Sequence, residues 1–102
     1  MALDVFFKDD IANVLSSNMS MAVATVRASV QVSGQVDRSY LLGVLSAQRA
    51  LAKGFGLSWS AIVVDALSDI GEPYGDGLVR AADRSLENLI GEVERLLLLG
   101  EY

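Results

Sequence analysis

The sequence predicts an all-α protein, an antiparallel helical bundle of about four helices in one domain spanning residues 1–102. Three observations carry that expectation. Apolar residues recur at helical spacing almost throughout, and glycines punctuate the periodic stretches. Hydrophobic residues make up 52% of the chain against 21% charged, which suits a packed core and excludes low-hydrophobicity disorder. For so small a domain the apolar content is high enough to expect cover from another chain.

The first stretch is expected to run from about Asp4, at an N-cap position, to about Ser33, before Gly34. At 100° per residue, Asp9, Asn13, Ser16, Ser17, Ser20, Arg27 and Gln31 form its polar face. Apolar residues such as Ile11, Val14, Leu15, Met19, Met21, Val23 and Val26 fill the rest, about half the circumference. An arc that wide needs more than one packing partner. One unbroken helix here would span roughly 45 Å.

The second stretch, Asp37 to about Lys53, places Tyr40, Val44, Ala47 and Leu51 on one side and Arg38, Ser46, Arg49 and Lys53 on the other. Leu42 alone interrupts the polar side. Gly54-Phe55-Gly56 then stops the helix. In the third stretch, from about Ser58, SWSAIVV suits a strand by composition. The i, i+3, i+4 rhythm of Trp59, Ile62, Val63, Ala66, Leu67 and Ile70 nevertheless predicts a helix ending at Gly71. The fourth stretch carries Leu78, Ala82, Leu86, Leu89, Val93 and Leu97 on one face. Arg80–Asp83, Arg84–Glu87 and Glu92–Arg95 are opposite-charge pairs on its outer side, each worth roughly 0.2–0.5 kcal/mol. Leu98 and Leu99 break that pattern.

Short turns between helices imply an antiparallel bundle, but the lengths do not match. The long first helix would outrun its neighbours. With the wide apolar arc and the stray Leu42, Leu98 and Leu99, this favours a bundle completed by dimerisation, those three leucines being the expected interface.

Charge and composition narrow the function. Eight basic residues stand among thirteen acids, a formal net charge of −5, and no basic cluster suits a phosphate backbone or an anionic membrane. No apolar run approaches the roughly 18 residues a spanning helix needs. Cysteine and histidine are both missing, which removes thiolate chemistry, the common zinc sites and the usual neutral-pH base. The expectation is a cytoplasmic protein with no cofactor and no nucleic-acid or membrane partner. Its partner is itself, or another protein.

The stretch GEPYGDG, 71–77, looks most like a site. As an EF-hand loop it fails in both registers, since a start at Asp69 puts Gly71 and Pro73 where ligands belong and a start at Asp65 puts Leu67 there. No Lys-Ser/Thr follows to make a phosphate loop. As a turn it is coherent: Gly71 and Pro73 stop one helix, and Asp76 caps the next. Asp65 and Asp69 share a helical face, and with Asp76 they are the candidates for a divalent metal, the basis of an alternative all-α enzyme. That face is opposite the apolar stripe, so solvated charge is the simpler reading. Asn18, Thr25 and Ser29 fall within the apolar arc and are expected to be buried polar groups. There they either fix helix register or line a small apolar-ligand pocket. The small residues Ala12, Ser16, Ser20, Ala24 and Ala28 recur every fourth position, but that ridge drifts around the helix, so only part of it can be a contact. The function expected is a helical interaction or assembly module, homodimeric and without catalysis of its own.

Overall fold

One uninterrupted helix sets the length of the molecule. In a computed structural model, which describes residues 2–67 and 76–99 (the side chains of 2–6 and 76 excepted), α1 runs from Ala2 to Ser33. Its 32 residues account for the long dimension of a body measuring 47 × 22 × 21 Å. The helix already includes Ala2, so Asp4 is not its cap. Gly34, at φ 74°, closes the other end, its N–H donating to the Val30 carbonyl.

The next two helices start where the sequence places them, each capped by the residue before it. α2, Arg38–Gly54, is capped by Asp37, whose carboxylate accepts from the Tyr40 N–H at 3.0 Å. It ends in a Schellman turn: Leu57 N–H donates to the Ala52 carbonyl, Gly56 N–H to that of Lys53, and Gly56 takes φ 69°. Ser58 then caps α3, Trp59–Ala66, through the Ala61 N–H. Ile62, Val63 and Ala66 are buried on one face, so SWSAIVV is helical as the rhythm predicts. The helix closes at Ala66, four residues short of Ile70, with Leu67 already in a turn. Nearly all of GEPYGDG lies outside the described residues.

The fourth expected helix is two helices, so the described residues form five. α4, Asp76–Arg84, stops before Ser85, and α5, Leu86–Leu99, begins after it. The cause is local: the Ser85 hydroxyl accepts from the Asn88 N–H at 3.1 Å, an N-cap that restarts the chain in a new direction. The expected Arg84–Glu87 pair thus straddles a helix break. Glu92–Arg95 does form, with contacts of 2.5 and 3.2 Å.

The five helices pack in a ring, α1 against α2, α2 against α5, α5 against α4, α4 against α3, and α3 back against α1. α2 runs antiparallel to both neighbours. Asn18 meets Gln48 and Phe7 meets Phe55 on the α1 side; Arg38 pairs with Glu94 at 2.8 Å on the α5 side. Met19, Leu41, Leu45, Val63, Leu89 and Val93 fill the centre. α3 approaches α1 over the small residues: Ala12 packs on the core, and Ser16 is buried with its hydroxyl 3.5 Å from the Ile62 carbonyl. Ala24 and Ala28, further along that ridge, are exposed. Ser16 therefore belongs to the core side of α1, not to its polar face.

Gly56, just beyond the end of α2, and Gly43, inside it, should respond oppositely to alanine. At Gly56 nothing but the tip of Lys8 lies near a new Cβ, so Gly56→Ala costs only backbone strain, about 1 kcal/mol. Gly43, inside the helix with open space around it, should gain about 0.5–1 kcal/mol on Gly43→Ala. Urea unfolding of the two variants checks the sign of each.

Candidate functional site

α2 and α3 cover one side of α1, and the other side is bare. Phe7, Val14, Met21 and Val32 stand 60%, 56%, 68% and 91% exposed. They belong to a stripe stepping by four and three residues (7, 11, 14, 18, 21, 25, 28, 32), the spacing of a helix that packs along its length against another helix. Of its eight positions only Ile11 is partly buried; the other seven are exposed. From Ile11 to Val36 the chain carries one charged residue, Arg27. An outward face so short of charge is unusual, since water-facing helices ordinarily mix both signs of charge along their polar side.

α2 extends the same face. Tyr40 and Leu51 are exposed and with Val44 and Ala47 repeat the four–three stepping, and Phe55, just past the helix end, is 40% exposed on the same side. Between the two stripes runs an open groove of about 320 Å³ lined by Asn18, Met21, Thr25, Tyr40, Val44 and Gln48. It continues past Ser29 and Asp37.

Asn18, Thr25 and Ser29 are thus brought to one face, but they are not buried in the chain: all three are exposed. α2 lies beside them instead of over them. Asn18 Nδ2 donates to Oε1 of the buried Gln48 at 3.2 Å, tying α1 to α2. The Thr25 hydroxyl turns back onto the Met21 carbonyl at 2.9 Å. The groove beside Asn18 has exposed walls and forms no enclosed pocket.

The other expected residues scatter. Leu42, Leu98 and Leu99 are 44–55% exposed, Leu42 beside Glu87 and Ile90, the other two at the end of α5. Asp65 is exposed on α3 and has an interaction partner. Asp69 and the Asp76 side chain lie outside the described residues, among which no three acids gather as metal ligands. Arg80, Arg84 and Arg95 line a second open groove of about 360 Å³ on α4 and α5. Its charge is offset by Glu92, which holds Arg95 with two hydrogen bonds. No helix among the described residues is long and apolar enough to cross a membrane. What was missed in the sequence is the identity of the bare face. The seven-residue repeat was its signal, concealed because the whole arc was apolar.

No family model matches this chain, no curated protein matches it, and no solved structure matches it.

The Asn18–Gln48 bond should matter to the monomer. Asn18→Ala leaves the buried Gln48 carbonyl without its donor and should lower stability by about 1 kcal/mol. In a double-mutant cycle with Gln48→Ala by urea unfolding, the two losses should fall short of additive.

Proposed function

We propose that this chain is an interaction and assembly module that works as a homodimer, joined through the bare α1–α2 face. The observation that carries this reading is the outward side of α1, an exposed apolar stripe with one charge between Ile11 and Val36. Large exposed apolar surfaces mark association sites, because leaving them in water forgoes roughly 25 cal/mol per Å². A second copy is the simplest partner, since two-fold dimers are the commonest closed assembly. The fold is a small, compact, all-helical domain, and its described residues form no recognisable catalytic constellation. The smaller leucine patch of Leu42, Leu98 and Leu99 is the competing place for the contact.

Light scattering across micromolar concentrations separates these surfaces. Two chains of 10.9 kDa make about 22 kDa, the particle mass expected for the native protein. Val14→Glu with Met21→Glu should return it to monomer mass with helical circular dichroism unchanged, because both residues are exposed in the single chain. Leu98→Glu with Leu99→Glu should leave the dimer intact. A native monomer would overturn the homodimer, and dissociation by the leucine pair alone would move the contact to α5.

A further inference from the structure

We infer that the α1–α2 pair is an open half of a four-helix bundle, closed by the same pair from a second copy with the two α1 helices antiparallel. This rests on the homodimer reading above and goes further by fixing direction and register. The stripes on α1 and α2 have the spacing of bundle core positions, and both border one groove. Between Phe7 and Val32 the α1 stripe is roughly 38 Å long, and two helices side by side are roughly 20 Å wide. The footprint is on the order of 700 Å², close to the roughly 800 Å² per partner of a stable interface.

Side-chain size fixes the register. With α1 antiparallel to its copy about a two-fold axis midway between residues 19 and 20, Phe7 faces Val32, Val14 faces Thr25, and Asn18 faces Met21. Each layer then pairs a larger residue with a smaller one, and the helices keep an even separation. A parallel pair would instead stack Phe7 on Phe7 at one end and Ala28 on Ala28 at the other. It would also face Asn18 with Asn18 in a layer that α2 fills only with Ala47.

Charge agrees with size. Asp10 lies on the α1 flank beside the stripe, on the side away from α2. The antiparallel register sets each Asp10 at the level of residue 29 of the other copy, so the two Asp10 carboxylates lie roughly 28 Å apart along the axis. A parallel pair would set each Asp10 beside its own copy. Like charges repel there, and the aligned helix dipoles add to the cost.

Disulfide trapping tests this cleanly, because the chain has no cysteine to interfere. Val14→Cys and Thr25→Cys are prepared separately, mixed, allowed to exchange and oxidised with a glutathione couple. The mixture should yield a cross-linked dimer of about half the chains, with neither variant cross-linking alone, since a bond needs Cα atoms within about 7 Å. Phe7→Cys mixed with Val32→Cys should behave the same and guards against a fault in either first variant. Self-cross-linking of the single variants would overturn the inference in favour of a parallel seam. A 22 kDa particle with no cross-link in either mixture would overturn the register while leaving the homodimer standing. A monomer would overturn both.

Discussion

The structure depends on the mismatch between one long helix and the short helices around it. α1 has 32 residues; the others have 17, 8, 9 and 14. A helix with half its circumference apolar carries more apolar surface than short neighbours on one side can cover. Its own chain supplies α2 and α3 on one side only. Burial of Leu15, Met19, Val23 and Val26 ties α1 to the core, and the same rigid backbone holds Val14, Met21 and Val32 out in water. The fold cannot bury one set without presenting the other.

Most of the fold is legible in the sequence because its boundaries are made by local chemistry. Asp37 and Ser58 cap the helices they precede, and Gly34 and Gly56 take the left-handed conformations that end the helices before them. The break at Ser85 was equally local but was masked by an apolar rhythm that runs through it from Ala82 to Leu89 without a missed step. One hydroxyl on the Asn88 N–H decided against that rhythm. A periodic pattern reports a face, and two helices meeting at a bend can share one.

The candidate site was legible only in part, for a different reason. That the apolar arc of α1 was too wide for one partner can be counted from the residues. Which half of the arc faces inward depends on where α2 and α3 settle. α3 comes close over Ala12 and Ser16, since small side chains let helix backbones approach. A serine is therefore buried where Val14, two residues earlier and on nearly the opposite side of the helix, is left outside. Asn18, Thr25 and Ser29 follow the same logic. They lie within the apolar arc, but in the single chain they edge a groove that only another molecule would close.

If the bare face is covered by a second copy, folding and assembly are coupled, and stability must depend on protein concentration. The most direct measurement is the thermal unfolding midpoint of the native chain over a hundredfold concentration range. A dimer gains about 2.7 kcal/mol over that range, so the midpoint should climb by several degrees. A midpoint that stays fixed would mean that α1 is content with water on its apolar side, and it would contradict the account.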